Sequence, residues 1–455
     1  MVTTVHPRRA ALGIVLALTA SAIATSPGSA AATTPCGLLG TLQTYELNDR
    51  CEPLLGLEPI TDAAIVANLR RVGLFATLLT CGQGLTSAAV VAVPDELLVT
   101  ASNGLDEAVD EVRRRLNGSV RGVTPLNEFA ALLSLHGGIL NETFLRQVIP
   151  TLQGTGFSTD LNYLEPALPN NRLRPGDNPA TATDPGVGEG GAGRVLVIDS
   201  PTEASADYDV DGNGFVDEDH GHGVFVTSLI EQLAPTTEVV LAAVNGGRVP
   251  TSQRWSPMVF ADSDVIAAVG GAFELSATGV GRPFDVVNLS LGGAGCGGVG
   301  SRLAFGRFLR DLADLSGRTS GVRPAYVAAA GNDGGDVKHF PAAWRDEPTI
   351  NATAAVVDLV GPPGAGDEIR SIQGALETDV IAVGSWTDSE RDSFSNCGAW
   401  VNAVAAGADT VGRYPSPTGW ASWSGTSFAT ARVSAARAGG QGLTDVVIGN
   451  AVGAC

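Results

Sequence analysis

Residues 194–199 read Arg-Val-Leu-Val-Ile-Asp, four consecutive apolar side chains closed by an acid. Side chains of a strand point alternately to opposite faces, so an unbroken apolar run needs cover on both. The same pattern returns at 238–244 (EVVLAAV), 285–291 (DVVNLSL), 325–330 (AYVAAA) and 379–384 (DVIAVG). Between these runs, residues 263–278 and 302–316 carry apolar side chains at helical spacing. Strand–helix–strand repetition predicts an α/β domain over residues 191–455. Its sheet should be mainly parallel, covered by helices on both faces and joined by right-handed crossovers. Functional groups in such sheets collect beyond the C-terminal strand ends, here Asp199, Ser290-Leu291-Gly292 and Gly331-Asn332.

Upstream, residues 92–168 predict a separate small α+β unit. A strand at 96–100 is followed by the helix LDEAVDEVRRRL at 105–116, whose apolar residues share one face. Two more apolar runs, a helix at 142–152 and a strand at 159–164 complete a βαββαβ order. Residues 169–190, rich in Pro, Gly, Asn and Asp, read as an exposed linker suited to proteolytic processing. Residues 1–31 read as an export signal: Arg8-Arg9, an apolar run at 10–24, then Gly-Ser-Ala-Ala at 28–31. That run is shorter than the roughly 20 residues a membrane span needs, so no anchor is expected once it is removed. The expected location is therefore outside a bacterial cell.

The chain has 455 residues, 44% hydrophobic and 17% charged, which excludes a disordered protein. Its 48 acids and 28 bases give a formal charge of −20, arguing against nucleic acid as a partner. Residues 185–455 hold 31 of the acids and 16 of the bases, so the downstream part is the strongly acidic one. Six cysteines in an exported protein suggest disulfides. Cys36, Cys51 and Cys81 lie in or near the segment 32–91; Cys296, Cys397 and Cys455 lie in the acidic part. Each group is odd, so either a thiol is free or one bridge joins the groups. No CxxC pair supports zinc.

The chemistry gathers around residues 424–430, SGTSFAT, which run into a small-residue helical stretch. A serine in the first turn of a helix sits among free N–H groups at the positive end of the dipole. Ser427 there is either a nucleophile or a plain helix cap. A nucleophile needs a base, and the base an orienting carboxylate. Of five histidines, His220, His222 and His339 lie in the acidic part; His222 stands in the glycine-flanked GHGVFV, and Asp199 ends a strand.

VIDSP, GHGVFV, VVNLSLGG, AAAGNDG and SGTSFAT, in this order, resemble the subtilisin-like serine proteases, the subtilases. The resemblance covers about residues 190–440. It implies Ser427 as nucleophile, His222 as general base and acid, and Asp199 as the carboxylate that orients the imidazole. It further implies Asn332 as an oxyanion-hole donor and Ser290, Leu291 and Gly292 as the strand that pairs with an extended polypeptide substrate. Residues 92–168 are similar to the inhibitor-like propeptides of that family, which makes the chain's own propeptide its intramolecular inhibitor. A monomeric, secreted serine endopeptidase made as a zymogen is the function this implies, with no cofactor required for the chemistry. Phe428 stands where the family usually has Met, and Ala431 where it usually has Pro. A subtilase-fold binding protein, or a processing or transpeptidase-type enzyme, are the alternatives.

Asp209, Asp211, Asn213 and Asp217 form D-x-D-x-N-G-x-x-D, which suits a structural Ca2+ ion. His220 stands where a calcium loop has a bidentate glutamate, so a metal-free acidic turn stays open beside it. Asp333, next to Asn332, is either a reader of basic side chains or a solvated loop acid. The glycine-rich runs lack the Lys and Ser/Thr of a phosphate loop.

Overall fold

The computed structural model describes residues 77–81, 88–137, 144–166, 188–200, 218–244, 259–277, 282–294, 301–414, 419–441, 443–449, 453 and 455. The export signal, most of the segment 32–91, nearly all of the linker and the 209–217 loop lie outside them. The N-terminal unit holds β1 (Thr77–Cys81), β2 (Ala88–Ala101), α1 (Leu105–Arg115), β3 (Val120–Asn127), β4 (Ala130–Leu135) and β5 (Phe157–Pro166). Its antiparallel strands run β3-β4-β2-β5, with β1 added at the N-terminal half of β2. Helix α1 buries Ala108, Val109 and Val112, with acids in its first turn and arginines in its last, as its dipole favours. The helix expected at 142–152 is instead a π turn (Phe144–Val148) running into a 3-10 turn (Ile149–Leu152). Pro150 has no N–H to give an α-helical ladder, and the chain tightens there.

The main body begins with β6 (Glu189–Gly190), β7 (Arg194–Asp199), α2 (Glu218–Leu233) and β8 (Glu238–Ala243). It continues through β9 (Val259–Ala261), α3 (Asp262–Ala277), β10 (Val286–Leu289), β11 (Gly293–Ala294) and α4 (Leu303–Ser320). Next come β12 (Ala325–Ala329), β13 (His339–Phe340), α5 (Glu347–Val360), α6 (Ala365–Asp379), β14 (Val380–Thr387) and β15 (Glu390–Arg391). The last elements are β16 (Ala403–Ala405), β17 (Thr410–Arg413), β18 (Trp420–Trp423), α7 (Thr426–Arg437), β19 (Gly440–Gln441) and β20 (Val447–Ile448). The central sheet runs β20-β16-β14-β12-β10-β7-β8, parallel except for β20.

Alternation explains why these strands are apolar throughout. Val195 and Val197 of β7 join the core under α2 and α7, whereas Leu196 and Ile198 join the core under α3 and α4. Ala325 and Val327 against Tyr326 and Ala328 divide in the same way, as do Ile381 and Val383 against Val380 and Ala382.

The N-terminal unit joins the main body by strand addition, with β5 pairing antiparallel to β9 from Leu164↔Ala261 to Pro166↔Val259. Side chains just upstream of that pairing meet the starts of α3 and α4. Asn162 accepts from the Ser263 N–H (3.0 Å), and Asp160 Oδ2 accepts from the Leu303 N–H (2.7 Å). Both occupy helix starts, where backbone donors lack partners in the helix itself. Arg307 of α4 is fully buried, donating to Ser158 and Ser102 of the unit and to Glu368 of α6. Burial raises the Asp160 carboxyl to about pKa 6, against the bonds from Tyr163, Leu161 and Leu303 that favour its charge.

Candidate active site

Asp199 is the last residue of β7, and His222 lies near the start of α2. The His222 Nδ1 atom is 2.8 and 2.9 Å from the two Asp199 carboxylate oxygens. With Nδ1 protonated, the acid fixes the tautomer that leaves Nε2 as an acceptor. Asp199 is itself held by the Ser200 N–H at 2.7 Å, and the Ser200 hydroxyl accepts from the Gly223 N–H at 2.9 Å. A Cβ on Gly223 would collide with the Ser200 carbonyl, which accounts for the glycine after His222. His222 and Asp199 are both withdrawn from solvent. Trp423, perpendicular to the imidazole, and Phe428, tilted against it, lie 5.7 and 5.6 Å away, ring centre to ring centre.

Ser427 is the second residue of α7, and Gly425 caps that helix without a side-chain bond. Its hydroxyl donates to the Ser290 carbonyl at 3.1 Å, while His222 Nε2 has no hydrogen-bond partner among the described residues. Ser290, just beyond β10, is buried against Ser427: its Oγ lies 2.9 Å from Asn288 Oδ1 and 3.0 Å from the Ser427 carbonyl. Leu291 is buried too, whereas Gly292 is partly exposed and leads into β11, which pairs with β13.

Asn332 follows β12. Its Oδ1 accepts from both the N–H and the hydroxyl of Thr426, each at 2.9 Å. That anchors the carbonyl end to the start of α7 and leaves the Nδ2 end beside Gly425. Thr426, Trp423 and Ser200 thus join the site without having been singled out in the sequence. Thr426 adjoins Ser427, the only signal that could have pointed to it.

Asp333 is neither a free reader of cations nor a plain solvated acid. Its carboxylate meets His339 Nε2 at 2.7 Å and Asn396 Nδ2 at 3.0 Å. Burial disfavours its charge, but the His339 interaction and the Asn396 bond outweigh that and hold the carboxyl below its ordinary range. The proposed calcium ligands Asp209, Asp211, Asn213 and Asp217 are outside the described residues, as is the His220 side chain. Cys397 and Cys455 form a disulfide (Cα–Cα 5.1 Å). Cys36, Cys51 and Cys296 are not among the described residues, and Cys81 lies on β1.

The subtilase family model matches residues 89–440, and the chain belongs to that family of serine proteases. Among solved structures it is similar to a cold adapted subtilisin-like serine proteinase, at 24% identity over 54% of this chain and 73% of that one, with a TM-score of 0.33. The self-cleaved protease domain of PatA is 23% identical over 54% of this chain and 78% of that one (TM-score 0.33). The prenylagaramide maturation protease PagA is 21% identical over 54% and 74% (TM-score 0.34). Among curated sequences, the phosphoribosylamine–glycine ligase of Phenylobacterium zucineum (strain HLK1) is 34% identical over 92 residues, 20% of this chain and 21% of that enzyme. That match spans about a fifth of either protein.

Proposed function

We propose that the chain is an exported serine endopeptidase, made as a zymogen, that cleaves polypeptides through Asp199, His222 and Ser427. The observation that carries this reading is the buried Asp199–His222 pair together with a serine in the first turn of α7. Attack begins when the Ser427 hydroxyl exchanges the Ser290 carbonyl for His222 Nε2 and gives up its proton there. Asp199 stabilises the imidazolium. The Ser427 N–H and the Asn332 amide receive the charge on the tetrahedral oxygen. His222 then delivers the proton to the leaving amine, and water, activated by the same base, hydrolyses the acyl-enzyme. No metal or cofactor enters this sequence; Ca2+ at 209–217 would be structural.

The N-terminal unit is the intramolecular inhibitor in this reading. Its β5 edge on β9 and the proximity of β2 and β5 to β11 support that role. A fluorophosphonate should label Ser427 of the purified secreted protein, located by mass spectrometry, and an unlabelled Ser427 would sink the reading. N-terminal sequencing of wild type and Ser427→Ala tests the zymogen. Cleavage between about residues 165 and 190 in wild type alone is expected, and an intact linker in both would remove self-processing.

A further inference from the structure

Asn396 lies between β15 and β16, fully buried and 64 residues along the chain from Asn332. Its side chain accepts from the Asp333 N–H at 2.7 Å. It donates toward the Ala330 carbonyl (3.0 Å), the Asp333 carboxylate (3.0 Å) and the Val337 carbonyl (3.1 Å). Its backbone N–H donates to the Gly331 carbonyl at 2.9 Å. One residue therefore grips the chain on both sides of Asn332. The flanking segment repeats the grip: the Gly334 N–H donates to Phe394, and the Cys397 N–H to Gly335. Gly331 has φ +105°, and a Cβ there would collide with the Asn396 amide, so the turn can approach this side chain only as glycine.

We propose that Asn396 is a positioning residue for oxyanion stabilisation, fixing the Gly331–Asp333 backbone so that the Asn332 amide is held where the tetrahedral oxygen forms. The inference rests on the endopeptidase reading above. Packing alone does not call for this residue, since a buried amide must be fully hydrogen-bonded to be tolerated and an apolar side chain need not be. Its side chain and backbone N–H bond residues 330, 331, 333 and 337 of the Asn332 loop, while its carbonyl accepts from the neighbouring Ser395 hydroxyl. Thr426 fixes the side-chain end of Asn332, and Asn396 fixes the backbone end. Misplacing a reacting group by about 1 Å can cost on the order of 10²-fold, so a loosened loop should be felt in turnover.

The test is steady-state kinetics on the processed protein with Asn396→Ala, Asn332→Ala and the double variant. Asn396→Ala should lower kcat roughly 10- to 100-fold and leave KM within about threefold. In the Asn332→Ala background the same change should cost less than about twofold, because the donor it positions is gone. A folded Asn396→Ala with unchanged kcat, or a loss as large with Asn332 absent, would overturn the proposal. Asn396→Ser, which puts a small hydroxyl in place of the amide, serves with the same criteria if the alanine variant does not fold. Hydrogen exchange over residues 330–337 reads the clamp without turnover: faster exchange in the variant is expected, and equal exchange would overturn it. A wild type without turnover would strike the endopeptidase reading, whereas unchanged exchange would strike the clamp.

Discussion

Among the described residues, two histidine–aspartate pairs of nearly equal length have different consequences. His222 meets Asp199 through Nδ1, fully buried, and its Nε2 has no hydrogen-bond partner among the described residues. His339 meets Asp333 through Nε2, with the acid side chain 32% exposed and also held by Asn396. The first arrangement engages Nδ1 with the acid and, in the proposed mechanism, keeps Nε2 for a proton. The second spends Nε2 on the acid and ties down a loop. Residue types and distances are shared, so the difference lies in which nitrogen is engaged and what stands behind the acid.

The sharpest way to break this contrast is to remove each histidine in turn. His222→Ala or Ser427→Ala should lower kcat by about 10⁶-fold, the cost established for the matching residues of subtilisin, a member of the same family. Peptide hydrolysis by purified variants checks it, and a His222→Ala enzyme within tenfold of wild type would dissolve the distinction. Asn332→Ala, between the two pairs, should cost on the order of 10²–10³ in kcat with little change in KM. That magnitude too was established on subtilisin's own donor. An effect confined to KM would move Asn332 from transition-state stabilisation to substrate binding.

A third acid sharpens the comparison. Asp333 is held below the ordinary carboxyl range by its interaction with His339 and the Asn396 bond, whereas Asp160 is raised to about 6 by burial, with Asp262 adding to the rise. In the free unit Asp160 would titrate near its ordinary value of about 3.9. The junction therefore takes up a proton and tightens as pH falls, and this stability is lost as pH rises through 6. In the proposed zymogen, retention of the cleaved N-terminal unit should be roughly tenfold stronger at pH 5 than at pH 7.5. Asp160→Asn should flatten that dependence, and weaker retention at pH 5 would reverse the sign. The smallest effect is expected from His339→Ala: less than about tenfold in kcat, because Asn396 still holds the loop.

Much of the fold was legible because strand alternation writes itself into sequence: Val195 and Val197 face one core, Leu196 and Ile198 the other. The strand ends that carry Asp199, Ser290 and Asn332 followed from that. Helices α5 and α6 were not legible, since Ile350, Ala354 and Val357 make a sparse apolar stripe in α5, and no side-chain cap marks the start of either helix. Nor was the role of Asn396, whose partners lie 59 to 66 residues away and leave no local pattern. Asp160 likewise caps a helix start 143 residues downstream. The two histidines could be sorted only by their surroundings, because Asp333 is far closer in sequence to His339 than Asp199 is to His222.

Active-site labelling bears most directly on the central claim. Wild type, His222→Ala and His339→Ala are treated with a fluorophosphonate, and the rate of adduct formation on Ser427 is followed by mass spectrometry. Rapid labelling of wild type and His339→Ala, with labelling of His222→Ala slowed by at least about a thousandfold, is the predicted result. An unlabelled Ser427 in wild type, or equal slowing by both substitutions, would contradict it.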